Sequence, residues 1–272
     1  MKTWTNISDK VLRSRLGYQT ANQLKDNLIN ILEARPWRPT GGTNIWIAYK
    51  DSNTVTVKAG DYLIGDSLYN LAIDLDWTWT AAAQNRGMDD GGAGNAASTF
   101  YYLYGIAYSA AFGVVASVTA PTSRFDTNLS GTSYDSNVYL GAVYNNASQN
   151  VEVFYQRASA FFYRDLVSVG TTTSTSYSSK TLFCPPTTSF TILHMKVNST
   201  VSAITIQGDY SADGTNDFAQ TSNLYMTSTT ARSGAMWFEA PVPTSRTGWI
   251  KSSNASATVT LYQKGWYDKY LL

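Results

Sequence analysis

The sequence predicts a mainly β protein, with a short N-terminal α-helix followed by two antiparallel β-sandwich-like domains. Three observations predict it. Short stretches of alternating apolar and polar residues recur along the chain, and Gly-, Pro-, Asn- and Ser-rich turns separate them at spacings of roughly 8–12 residues, as in an antiparallel sandwich. Aromatic residues make up 14% of the 272 residues, with 19 Tyr and 8 Trp, and rings of this kind favour strands. Helical periodicity is concentrated in the first 40 residues.

The helix comes first in the chain. Thr20 with Gln23 three residues on forms a capping box. Leu24, Leu28, Ile31 and Leu32 then fall at i, i+4, i+7 and i+8, one apolar stripe. Pro36 ends the helix, because proline lacks the N–H and pushes the preceding residue out of the α region. A helix of about four turns is marginal alone in water, so the stripe must pack against something. Two partners remain open: its own β domain, or other copies in an oligomerising or anchoring bundle. Arg35 to Gly42, rich in Pro and Gly, reads as a linker and closes an N-terminal segment at 1–42.

From Thr43 the period becomes two. Asn44–Tyr49 and Thr54–Lys58 alternate, and Gly60-Asp61 makes a turn before Tyr62–Ile64. Leu71–Thr80 reads as one strand, with Leu71, Ile73, Leu75, Trp77 and Trp79 on its core face and Asp74 and Asp76 on the other. Gly87–Ala97 is a Gly-rich loop, and strands resume through Ser98–Tyr108, Phe112–Thr119, Val138–Tyr144, Val151–Gln156 and Ala160–Arg164. A polar tract, Gly170–Ser179, marks a second soft boundary. Strands follow at 181–184, 190–197, 201–208, 224–229, 235–239, 248–251 and 257–263. The expected domains are a central β domain at 43–165 and a C-terminal β-sandwich at 166–272.

Charge and composition exclude several functions. Lys+Arg number 20 and Asp+Glu 19, a net charge of +1, which gives no global grip on nucleic acid or anionic lipid. Charged residues are only 14%, against roughly 25% in ordinary proteins, while Ser and Thr number 62. The surface is therefore covered by hydroxyls and amides rather than ions. One Cys (Cys184) and one His (His194) leave no disulfide framework and no Cys/His zinc cluster. The first residues lack the apolar core of a secretory signal, and no run approaches about 18 apolar residues, so no membrane insertion is expected. An extracellular-style surface without disulfides or an export signal fits a virion component made and assembled in the host cytoplasm, and also a protein secreted by a route without a cleaved signal.

Candidate sites are few. Asp74 and Asp76 lie two apart on one strand face, about 7 Å from each other, a spacing that a paired-carboxylate hydrolase could use and that an ordinary solvated face also produces. Asp209, Ser211, Asp213 and Asp217 stand at positions 1, 3, 5 and 9 of a calcium-type loop with Gly214 at position 6; position 12 is Gln220, not the bidentate Glu, and helical flanks are missing. The alternative is an acidic hairpin tip. His194 reads as an ordinary strand residue, and no G-x-S-x-G serine partners it. Trp237, Trp249, Trp266 and Tyr267 are candidate glycan or receptor contacts, since sugars pair an apolar ring face with polar edges. Core packing is the competing role for each ring.

Asn85–Tyr163 resembles a module of the fibre, spike and tail proteins of tailed bacteriophages. N-R-G-M-D-D-G-G-A at 85–93 and S-T-F-Y-Y-L-Y-G-I at 98–106 carry the likeness, with F-G-V-V-A-S-V-T-A-P at 112–121 and V-Y-L-G-A-V-Y-N-N-A-S at 138–148. F-Y-Q-R at 154–157 and F-F-Y at 161–163 close it. Y-Q-T-A-N-Q-L-K-D-N-L-I-N-I-L (18–32) is similar to the helix that opens such proteins, and T-V-T-L-Y-Q-K-G-W-Y-D (258–268) to their last strand. The likeness covers about half the chain; Asp90 and the region 165–250 depart from it. It implies a virion structural role and no enzymatic reaction, hence a fibre, spike or capsid/tail decoration element. It also favours a homotrimer, which the stripe Leu24, Leu28, Ile31 and Leu32 permits. The expected partners are other virion proteins at the N-terminal segment and a bacterial surface glycan or protein at the C-terminal domain, with no cofactor beyond a possible calcium. The rival function is a glycan-binding module or a tail polysaccharide depolymerase.

Overall fold

The computed structural model describes residues 46–65, 67–79, 87–89, 94–108, 111–124, 129, 136–199, 204–214, 221–228 and 233–271. These residues form strands in antiparallel sheets and no helix. The expected N-terminal helix, with Leu24, Leu28, Ile31 and Leu32, lies outside them.

The first strands are β1 (Ile47–Asp51), β2 (Thr54–Val57), β3 (Gly60–Ile64), β4 (Ser67–Leu71) and β5 (Leu75–Thr78). β1, β2 and β5 form a three-stranded sheet, and β3 and β4 a separate hairpin. The expected single strand across 71–80 is therefore two. The chain leaves its pairing with β3 at Leu71 and joins β2 at Leu75. Ile73 sits in the changeover and is 77% exposed instead of buried. Alternation holds again beyond it: Leu75 and Trp77 face inward, and the Trp77 indole donates to the Gly87 carbonyl at 3.0 Å.

β6 (Thr99–Tyr108), β7 (Ala111–Ser117) and β8 (Ser136–Asn145) form a sheet in the order β7-β6-β8. β6 and β8 are buried along nearly their whole length, so both faces of this sheet are covered. On one side Tyr101 packs edge-on against Trp79. On the other Phe100 packs against Phe183 and Trp266.

The remaining strands are β9 (Phe154–Arg157), β10 (Ala160–Thr172), β11 (Ser178–Thr181), β12 (Thr188–Ser199), β13 (Ile204–Ser211), β14 (Thr221–Ser228), β15 (Ser233–Pro241), β16 (Thr247–Ser252) and β17 (Ala257–Asp268). They make a five-stranded sheet, β15-β12-β17-β10-β9, and a four-stranded sheet, β11-β16-β13-β14. The inner faces of the two meet: Tyr210 of β13 packs on Phe238 of β15, and Gly208 lies against Val197 and Val259. β16 alternates strictly between buried and half-buried residues, and β12 does so from Thr191 to Ser199, so each has one core face and one outward face.

One hydrophobic cluster runs from Trp46 to Leu271. The expected division at 165/166 falls inside β10, where its pairing with β17 shifts register between Phe162 and Val167. The halves are joined by directed contacts. Phe161 stacks on Trp266 at 5.0 Å with 4° between the rings. Within the first half, Gln156 Oε1 accepts the backbone N–H groups of Trp46 and Ile47 at 2.9 and 2.8 Å. Tyr139 of β8 donates its hydroxyl to Asp268 Oδ2 at 2.6 Å, and Thr187 donates to the same oxygen at 2.7 Å.

Candidate functional site

Sheet alternation builds the site. On β12, Leu193, Met195 and Val197 point into the core, which turns Ile192, His194 and Lys196 to the outer face of the five-stranded sheet. On β15 the same parity turns Trp237 and Glu239 outward. The register then aligns three rings across three strands, Trp237 opposite His194 and His194 opposite Tyr262. His194 lies 4.5 Å from the Trp237 ring and 5.9 Å from the Tyr262 ring, centroid to centroid. Trp237 is 55% exposed, so more than half of this residue meets solvent. Burial, and then the charge of Lys196, pull the His194 pKa down, so the imidazole is neutral at pH 7.

Polar groups border this row. Glu239 stands two residues from Trp237 on the same side of β15, a step of about 7 Å. It accepts the Tyr267 hydroxyl at 2.7 Å, a bond that, with lesser help from burial, raises the Tyr267 pKa. Lys196 and Thr260 form the next cross-strand pair on the other side of the row.

The four aromatic candidates are thus separated. Trp237 and Tyr267 share the outer face. Trp249 lies half-buried on β16 in the other sheet, packed under Gly214, whose φ of +82° is the conformation that favours glycine. Trp266 is a correction: it is 1% exposed, stacked on Phe161, and has no face to offer a ligand. The cause is a β-bulge. Gln263 pairs with Leu193 and Gly265 with Ile192, so Lys264 is an extra residue. Simple alternation from Tyr262 would put Trp266 outside; the extra residue turns it inward and Tyr267 outward. Sequence reasoning left His194 as an ordinary strand residue and passed over Tyr262 and Glu239. The alternation of 190–197 signals which residues of β12 face out, but only the cross-strand register brings the three rings together.

The calcium-type loop is held by internal partners. Asp209 is buried, accepts Gln207 Nε2 at 2.5 Å and pairs with Lys251 at 3.4 Å. A cation at Asp209 would have to compete with that lysine. The Ser211 hydroxyl donates to Asp213 Oδ1 at 2.8 Å and accepts the Gly214 N–H at 3.0 Å, a serine-stabilised turn. Asp217 lies outside the described residues.

Asp76 lies on β5 and Asp74 just before it, each beside a lysine. Asp76 pairs with Lys50 at 2.5 Å and accepts the Thr56 hydroxyl at 2.9 Å. Asp74 pairs with Lys58 and accepts the Ala59 N–H at 2.8 Å. The Lys58 and Ala59 hydrogen bonds hold the Asp74 carboxyl below its usual range, the opposite of what a general acid needs. Cys184 is fully buried, and burial pushes its thiol up to about 11, which leaves it inert near neutral pH.

No protein-family model matches the chain, and a search of curated proteins finds no match.

Proposed function

We propose that this chain is a structural protein of a tailed-bacteriophage virion: a fibre, spike or capsid/tail decoration element. In this reading it works as a homotrimer, held to other virion proteins through its N-terminal segment, with the C-terminal β-sandwich turned toward the host surface. It acts by presentation, not by turnover. The observation that carries the reading is the solvent-facing row Trp237–His194–Tyr262 in the C-terminal half, borne on a sheet whose other side is closed against the core. A ring row on paired strands is a rigid display surface, as recognition requires. The likeness of 85–163 to phage fibre and tail modules supports the virion setting, and the lysine-paired state of Asp74 supports a non-catalytic role.

Imaging of the intact particle tests the proposal. Antibody labelling of purified phage, followed by particle reconstruction, should find the chain in groups of three on the particle surface. A protein absent from purified particles and monomeric by sedimentation would overturn it. The exposed Trp237 also favours a second reading, a glycan-binding module that acts outside a particle; the same labelling separates the two.

A further inference from the structure

We propose that the row Trp237–His194–Tyr262, with Glu239 and Lys196 on its flanks, is a binding site for the pyranose rings of a glycan. The inference rests on the attachment reading above and names the ligand class that the surface would take. A pyranose has an apolar C–H face and a rim of hydroxyls. It needs a flat ring to stack on and polar groups one sugar's width away. Trp237 supplies the ring, held beside His194 at 4.5 Å with the two planes tilted by 37°. Glu239, about 7 Å along β15, supplies a carboxylate that accepts hydroxyls, and it already accepts one from Tyr267. Lys196, one step beyond His194 on the far side, supplies donors. Trp237 and Tyr262 stand two strand spacings apart, about 10 Å, enough to take adjacent sugars of a chain.

The competing occupant is a second copy of the chain. The rings of Phe190 and Tyr267 lie farther along the same face, so apolar surface is not lacking. Charge placement decides against a dry interface. Glu239 lies on the edge strand β15 between Trp237 and Pro241, the partner of Phe190, so a carboxylate interrupts the apolar surface along that strand. Covering it with another protein's apolar surface would strip water from a carboxylate that keeps only the Tyr267 hydroxyl in return. Sugar hydroxyls replace that water.

The test uses the full chain on an array bearing lipopolysaccharide O-chains, capsular polysaccharides, and linear glucan, galactan and N-acetylhexosamine oligosaccharides. The protein should bind at least one, and the O-chain and capsule spots distinguish the two sources of the same chemistry. Affinity for that probe should fall about tenfold or more in Trp237→Ala, recover largely in Trp237→Phe, and fall in Glu239→Gln. Thermal unfolding should be unchanged in all three, since these side chains lie on the surface. Binding that survives Trp237→Ala would overturn the site, and so would a Trp237→Ala variant that loses its oligomeric state, which would make the face an interface between copies. A blank array overturns the glycan site alone; the virion role stands or falls on particle labelling.

Discussion

Tyr139→Phe should destabilise the protein by an amount that depends on pH. Tyr139 OH donates to Asp268 Oδ2 at 2.6 Å, Thr187 OH donates to the same oxygen, and the Tyr270 N–H donates to Oδ1 at 3.0 Å. Asp268 is fully buried, and burial pushes its carboxyl up from 3.8 to about 6 even though all three hydrogen bonds pull it down. The folded pKa is thus above the unfolded one. Below about pH 4 the acid is protonated in both states and its contribution is fully present. As pH rises through 6 the unfolded chain has already ionised, and folding must bear a buried anion, at about 3 kcal/mol in all. Removing the Tyr139 hydroxyl takes away one of the bonds that stabilise the anion. At pH 7.5 that bond is charge-assisted, so the loss should be about 1.5–3 kcal/mol. At pH 4 it is a neutral bond, and the loss should be about 1 kcal/mol. Urea unfolding of both proteins at pH 4, 5, 6 and 7.5, followed by tryptophan fluorescence, measures the difference, in which all other titrating groups cancel. An equal loss at pH 4 and 7.5, or a stabilised variant at pH 7.5, would refute the reasoning.

Three further perturbations probe the fold. Gly265→Ala should cost at least about 3 kcal/mol or abolish soluble expression, because its Cβ would overlap the Phe161 carbonyl oxygen and only separating β10 from β17 relieves it. Gln156→Ala should cost about 2–4 kcal/mol in urea unfolding, since one lost Oε1 orphans the buried N–H groups of Trp46 and Ile47 together; Gln156→Glu, which keeps an acceptor, should cost less. Cys184 should resist iodoacetamide at pH 8 in the native protein and react within minutes in urea, as mass spectrometry would read; rapid native labelling would contradict its burial.

The β class was legible because period-two patterning is local. Thr54–Val57 and 190–197 show it without reference to any partner, and both are strands. Where the partner changes, the pattern misleads. Leu71–Thr80 alternates without a break, yet Ile73 is exposed because the chain passes from the hairpin with β3 to the sheet with β2. Buried polar anchors such as Gln156, Asn145 and Asp268 left no pattern either, since their partners lie tens to more than a hundred residues away. The candidate surface was half legible. Trp237 and Tyr267 could be named as rings beside polar neighbours, but the row exists only once β15, β12 and β17 are set in register.

The extra residue at Lys264 ties the core junction to that surface. Without it, parity along β17 would carry Trp266 outward and Tyr267 and Asp268 to the opposite sides from those they occupy. With it, Trp266 turns in and stacks on Phe161, and Asp268 turns in to meet Tyr139. Tyr267 then turns out to hold Glu239 beside Trp237. A register slip here could not be neutral for one face and harmful for the other. It would expose a large aromatic ring, break the buried carboxylate from its donors and remove the hydroxyl that positions Glu239, all at once. The bulge therefore couples the closure of the two halves to the outer surface that the C-terminal sheet displays.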